Sequence, residues 1–174
     1  MIATRYSTSA VSLVLRNLVF TIVVPGAGGV YVPWLILSRH DGQLPAVAAW
    51  YAVPVIIAGL CLYAWCVFAF GNTGRGTPGL WDAPRRLVAT GPFAYVRNPI
   101  YLAALLIVSG EAWLFLSPGL LLYAAALAVA FHVFIVGYEE PRLRARFGEP
   151  YVAYCRVVSR WRPRPPSSGR AGAG

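Results

Sequence analysis

The chain has 174 residues, of which 58% are hydrophobic and 12% charged, and its mean hydropathy is +0.60. A soluble domain carries about a quarter charged residues, so this composition excludes an ordinary water-soluble enzyme and points to a multi-pass membrane protein of one domain. The net charge of +9 comes entirely from arginine. With no recognition motif beside it, that charge reads as the basic flanks of membrane spans and not as a nucleic-acid surface.

In chain order, a first apolar span covers residues 13–37 and contains Pro25, Gly26, Gly28, Gly29 and Pro33, which predicts a kink near Pro25. Arg16-Asn17 interrupts the N-terminal apolar run without a small-residue cleavage site, so no removable signal peptide is expected. A polar turn at 39–42 leads to a second span at 45–70, with Pro54 early in it. Both exceed the ~20 residues that a bilayer core requires. Residues 71–98 form a long loop with Arg75, Arg85, Arg86 and Arg97 against the single acid Asp82. Its G-N-T-G-R-G-T-P-G stretch follows no strand and precedes no G-K-[ST], so it reads as a connector and not as a phosphate loop.

A third span at 100–116, the turn Ser117-Pro118-Gly119 and a fourth span at 120–138 predict an antiparallel helical hairpin, which Glu139 and Glu140 close. Beyond them Leu143, Phe147, Tyr151, Tyr154, Val158 and Trp161 recur at three- or four-residue spacing with arginines between. This is an amphipathic, basic membrane-surface segment, broken near Gly148-Glu149-Pro150 into two short helices. The reading is therefore all-α and polytopic: two N-terminal spans (1–70), a loop (71–99), the hairpin (100–140) and an amphipathic cap (141–164), in one domain ending near residue 164. The Pro/Gly/Ser-rich tail 165–174 is expected to be disordered. With four spans, fourteen arginines fall on one side and Arg39 alone on the other, so both termini and the cap are expected in the cytoplasm.

Cys61, Cys66 and Cys155 show no C-x-x-C spacing and the histidines are only His40 and His132, so neither a disulfide framework nor a metal site is expected. Ionisable groups at membrane depth are functional candidates. Glu139-Glu140 at a helix C-terminus opposes the helix dipole and calls for a positive partner; the plainer alternative is a helix end in water beside Arg142 and Arg144. His132 lies two turns before Glu139, as a site residue or as a packed polar side chain. Glu111, near the far end of the third span, has no assigned role. Tyr95, Tyr101, Tyr138, Tyr151, Tyr154 and Trp161 form an interfacial belt or a cation–π surface. Arginine, carboxylate and aromatic groups in one cleft suit S-adenosylmethionine, and methyl transfer needs positioning more than acid–base groups. By chemistry alone, several anionic or zwitterionic ligands fit equally well.

The run L-V-A-T-G-P-F-A-Y-V-R-N-P-I-Y at 87–101, then a helical hairpin, then E-E-P-R-L-R-A-R-F-G-E-P-Y-V-A-Y-C-R-V-V-S-R-W-R-P from Glu139, resembles the isoprenylcysteine carboxyl methyltransferase family. More broadly it is similar to the membrane methyltransferase superfamily that includes phospholipid N-methyltransferases. The resemblance covers 85–163. It implies S-adenosylmethionine bound at the cytoplasmic membrane face and a lipid-like or prenylated acceptor drawn from the bilayer. Carried over by motif, cofactor contacts come from Arg85, Arg86, Leu87, Val88, Phe93, Asn98, Pro99, Ile100, Tyr101 and Glu139, with Arg97 and Glu140 adjoining. Two positions depart from the family: Asn98 stands where eukaryotic members have His, and Ile135 where they carry the Arg that holds a substrate carboxylate. His132 on the same helix is the replacement candidate. The expectation is an integral-membrane methyltransferase resembling the isoprenylcysteine enzymes. Alternatives are a phospholipid N-methyltransferase and a non-catalytic subunit whose basic cap binds anionic lipid.

Overall fold

Proline decides where the helices of this chain begin. The computed structural model describes residues 26–39, 47–70 and 87–165, and among these residues every element of regular structure is helical. Helix α1 (Val32–Ser38) follows a wide π turn, Ala27–Tyr31. Helix α2 (Val53–Ala69) follows a 3₁₀ segment, Val47–Ala52. Helices α3 (Pro99–Leu114) and α4 (Pro118–Phe134) come next. A second π turn, Ile135–Glu139, joins α4 to α5 (Glu140–Phe147), and α6 (Glu149–Val157) ends the helical part. Pro99, Pro118 and Pro150 lie in true first turns, where the missing N–H is no loss, whereas Pro33, Pro54 and Pro141 lie where a π or 3₁₀ stretch passes into α-helix. The expected kink at Pro25 and the connector at 71–86 lie outside the described residues.

Both π turns end two residues before a proline, Pro33 or Pro141. A proline ring crowds the carbonyl four residues back, and a wider turn gives that carbonyl room. At the second turn the Glu140 N–H accordingly bonds to the Ile135 carbonyl, five residues back. This corrects the sequence reading of Glu139 and Glu140 as a helix end. The helix runs on from Pro118 to Phe147, so no terminal dipole acts on the pair. The bend before α4 is also earlier than expected. Pro118 and Gly119 are already helical, and Ser117 caps α4 by accepting the Leu120 N–H at 3.3 Å. Helix α3 ends instead with Leu116 at φ 46° and the Ser117 N–H reaching back to the Ala112 carbonyl at 3.0 Å, a left-handed stop of the Schellman type.

Two helices among the described residues are long and apolar enough to cross a membrane, Ala49–Ala69 and Pro118–Phe147; Ala27–Ser38 and Pro99–Leu114 are apolar but shorter. Their large side chains point outward. Trp65, Phe68, Leu121, Leu122, Val129 and Val133 are exposed, an apolar surface too extensive for water and suited to lipid.

With little apolar driving force between helices in lipid, close backbone approach must hold them. Helices α2 and α3 do this with matched small residues. A Cβ on Gly59 would lie 2.8 Å from Ile107 Cγ1 and 3.0 Å from the Ala103 carbonyl oxygen, and one on Gly110 would lie 2.6 Å from Ile56 Cγ1. Ala52, Ile56 and Gly59 thus face Gly110, Ile107 and Ala103 in antiparallel order. Gly59→Val is expected to cost about 1–3 kcal/mol by forcing the helices apart. A melting temperature in detergent equal to that of the wild type would show the contact to be slack.

The chain entering α3 docks on the end of α2. Val88 and Phe93 are buried with Cys66 and Ala69, and Phe93 meets Phe70 edge-on at 5.2 Å. Gly91 turns the chain at φ 60°, against the Trp65 indole, a backbone conformation that favours glycine. On its other side Leu87 and Ala89 pack against Tyr151, Tyr154 and Val158 of the α5–α6 cap. The cap bends at Gly148, φ 59°.

Candidate functional site

The stretch before α3 and the junction of α4 with α5 meet in a cluster of charges. Arg97 Nη1 lies 3.1 Å from Glu140 Oε1. Arg160 grips the same carboxylate with two bonds, Nε to Oε1 at 2.7 Å and Nη2 to Oε2 at 2.8 Å. Forked pairing of this kind is the stronger form of a guanidinium–carboxylate contact. It raises the Arg160 pKa further above its ordinary value. Glu140 is buried, and a buried carboxylate needs such partners.

Glu139 differs sharply from its neighbour. Its Oε2 accepts the Tyr101 hydroxyl at 2.6 Å, and Tyr101 is itself fixed edge-on against Phe131 at 4.8 Å. No arginine bridges Glu139 among the described residues. Arg97 likewise keeps unused capacity: Nη1 also donates to Cys155 Sγ at 2.9 Å, but the buried Nε donates to nothing among the described residues.

The segment 158–165 crosses over this cluster as a strap. The Arg97 N–H donates to the Ser159 carbonyl at 2.9 Å and the Arg164 N–H to the Tyr95 carbonyl at 3.0 Å. Asn98 Nδ2 donates to the Arg160 carbonyl at 3.2 Å. The buried Tyr154 hydroxyl donates to the Phe93 carbonyl at 2.7 Å. Burial raises the Tyr154 pKa, so the phenol remains a donor at any physiological pH.

Among the residues singled out from the sequence, Arg97, Tyr101, Glu139 and Glu140 are thus brought together, with Asn98 tied to them through the strap. Pro99 is fully buried and Ile100 packs with Val88 and Phe93 on α2. Leu87 packs against the cap, and Val88 and Phe93 against α2. Arg85 and Arg86 lie outside the described residues. His132 is exposed, stacks on Trp161 and accepts its indole N–H at 3.2 Å. Ile135 is wholly buried. Sequence reasoning missed Arg160, hidden in a run of arginines that reads as the polar face of a cap. Its only local signal is Val158, Ser159 and Arg160 following the last helical turn.

An open groove of about 550 Å³ runs beside the junction, lined by Val136, Glu140, Pro141, Arg144 and Ala145. Gly137 faces open space on the same turn. Ligand sites commonly have volumes of roughly 300–1,000 Å³.

Fold and site together define a helical integral-membrane protein in which, among the described residues, Glu139 is bridged by no arginine and the buried Arg97 Nε has no acceptor. Compared with known families, residues 47–150 match the model described as phospholipid methyltransferase. That match spans more than half of the chain, and the chain belongs to the phospholipid methyltransferase family. It is a S-adenosylmethionine-dependent methyltransferase of lipid-like substrates. The match does not single out the isoprenylcysteine branch. No curated protein and no solved structure matches the chain.

The residues present fit this cofactor. Its methionine end is a zwitterion, and among the described residues the Glu139 carboxylate is unbridged and the buried Arg97 Nε donates to nothing.

Proposed function

We propose that this protein N-methylates the amino headgroup of a phospholipid, with the reaction seated between the chain entering α3 and the α4–α5 junction. The observation that carries the proposal is the contrast between two adjacent carboxylates: Glu140 is saturated by Arg97 and Arg160, while Glu139 is oriented by Tyr101 and, among the described residues, is bridged by no arginine. Glu139 would take the cofactor ammonium, and Arg97 Nε its carboxylate. When bound, S-adenosylmethionine supplies an electrophilic methyl group on a sulfonium. The Tyr101–Phe131 pair lies beside Glu139 and presents aromatic faces that suit a sulfonium cation. Leu87, Val88, Phe93, Pro99 and Ile100 form an apolar wall that limits water at the site. Asn98 fixes the strap over it. No residue is needed as a general base when the amine arrives neutral, because alignment supplies most of the acceleration. Arg85 and Arg86, by resemblance, complete the cofactor contacts.

In this reading the chain makes four spans, with α3 and α4 as an antiparallel hairpin, residues 1–164 as one domain and α5–α6 as a cytoplasmic cap. The excess of arginines on one side supports that orientation. The acceptor enters from lipid along the groove at Val136, Pro141 and Ala145. Methylation of an isoprenylcysteine carboxylate fits less well. The position that holds the substrate carboxylate in that family is the buried, apolar Ile135, and His132 is engaged with Trp161. The test is to supply methyl-labelled cofactor and phosphatidylethanolamine to the purified protein in bilayer discs. Label in the lipid that survives alkali is expected. No label in phosphatidylethanolamine, with label released by alkali as methanol from parallel discs that hold an S-prenylated cysteine, would identify a carboxyl ester and overturn the amine reading.

A further inference from the structure

The cap carries far more charge than the site uses. Arg142, Arg144, Arg146, Arg156, Arg162 and Arg164 are all exposed, and the only exposed carboxylate between residues 140 and 165 is Glu149. The spanning helix Pro118–Phe147 runs straight into the first of these residues. At 1.5 Å per residue, Arg142 and Arg146 stand only about 6 and 12 Å beyond Tyr138 along the axis, the depth of phospholipid headgroups. The rim is also close to the site. Arg156 follows Cys155, which Arg97 touches, and Arg162 and Arg164 continue the strap from Arg160. A membrane-embedded enzyme needs no such patch to stay in the bilayer.

We propose that this arginine rim binds anionic phospholipid headgroups of the surrounding leaflet, and that this contact lets the site accept a cationic cofactor. The proposal rests on the cofactor site described above. S-adenosylmethionine carries a net charge of one, with a sulfonium and an ammonium against one carboxylate. Its demethylated product, a thioether, carries none. A bare basic rim therefore repels the cofactor and ignores the product, so that an enzyme in neutral lipid favours its own spent cofactor. Anionic headgroups on the rim cancel that bias. Attraction of anionic lipid to interfacial arginines is well within ordinary membrane electrostatics, and it reaches only about a Debye length, ~8 Å in physiological salt, so the rim must adjoin the site to act on it.

The experiment uses the full-length protein and the variant combining Arg156→Gln, Arg162→Gln and Arg164→Gln, none of which touches Glu139, Glu140 or Arg97. Spin-labelled phosphatidylglycerol and phosphatidylcholine are compared at the protein boundary in bilayers. Phosphatidylglycerol is expected to be enriched around the wild type by at least about fivefold, the factor carried by one interfacial arginine, and measurably less around the variant, which keeps Arg142, Arg144 and Arg146. Equal boundary populations around the wild type would overturn the proposal, and so would a preference that the variant keeps undiminished. In discs of phosphatidylcholine alone, calorimetry is expected to show the variant binding S-adenosylmethionine roughly threefold tighter than the wild type, the enrichment that a potential change near 30 mV gives a monovalent ion. The demethylated product should bind both equally. A shift shared by cofactor and product, or no shift, would overturn the link to the cofactor. If neither ligand binds either protein, the site reading fails, and the lipid preference is decided by the spin-label spectra alone. A partner such as RNA, in place of lipid, would leave the two spin-labelled lipids indistinguishable.

Discussion

Glu140→Ala is expected to destabilise this protein more than any other single change at the site. The substitution leaves two guanidinium groups, Arg97 and Arg160, facing each other without the carboxylate they share. Removing one partner of a buried ion pair costs about 3–5 kcal/mol, because the remaining charge stays desolvated. The Arg160 side chain retains 30% exposure against 13% for Arg97, so water relieves part of the penalty and about 3 kcal/mol is the better figure. The effect should spread. Glu140 seats the strap through Arg160, and the strap holds the chain entering α3 through Arg97, Asn98 and Tyr95. Arg160→Ala should cost less, since Arg97 still covers the carboxylate. The double variant should be less damaged than the sum of the two single changes, because residues sharing one ion-pair network do not act independently. Thermal melts in a fixed detergent measure all three. A Glu140→Ala protein that melts with the wild type would show that the charge cluster does not hold the cap.

Those same contacts mark the border of what the sequence makes legible. The turn at Gly91 and the start of α3 at Pro99 are written in local chemistry, since proline and a glycine at positive φ act within one or two residues. Gly148 separates α5 from α6 for the same reason. The two π turns are not legible in this way. Apolar residues continue through Ile135 and Val136, and a widened turn changes the register without changing the hydrophobic pattern. Only Pro141, six residues beyond Ile135, signals it. The strap is harder still. Arg160 pairs with a residue twenty positions away, and Asn98 reaches across sixty-two. Neither separation leaves a periodicity to read. The arginines around Arg160 look alike in sequence, and only tertiary packing tells the one that is buried against Glu140 from those that face outward. His132 shows a related limit: seven residues from Glu139 means one face on an unbroken α-helix, but a π turn lies between them, and of the two roles read for His132 the contact seen is the hydrogen bond to Trp161.

Glu139→Gln should do the opposite of Glu140→Ala, leaving the fold intact and removing the cofactor. Glutamine keeps the shape of the side chain and can still accept the Tyr101 hydroxyl, and no arginine among the described residues is left unpaired. The melting temperature should therefore hardly move. The negative charge is what the change removes. Hydrogen bonds to charged groups contribute about 1.5–3 kcal/mol, so affinity for S-adenosylmethionine should fall between about tenfold and a hundredfold. The demethylated product should lose as much, since it carries the same ammonium and differs only at sulfur. Equal losses for both ligands separate a role at the amino-acid end from one at the sulfonium, where only the charged form would suffer. Tyr101→Phe offers an independent check. It keeps the ring against Phe131 and frees the carboxylate to turn, so it should weaken both ligands by a smaller factor than Glu139→Gln. A Glu139→Gln protein that binds both with full affinity would move the cofactor away from this helix, and with it the reason for two adjacent glutamates to be held so differently.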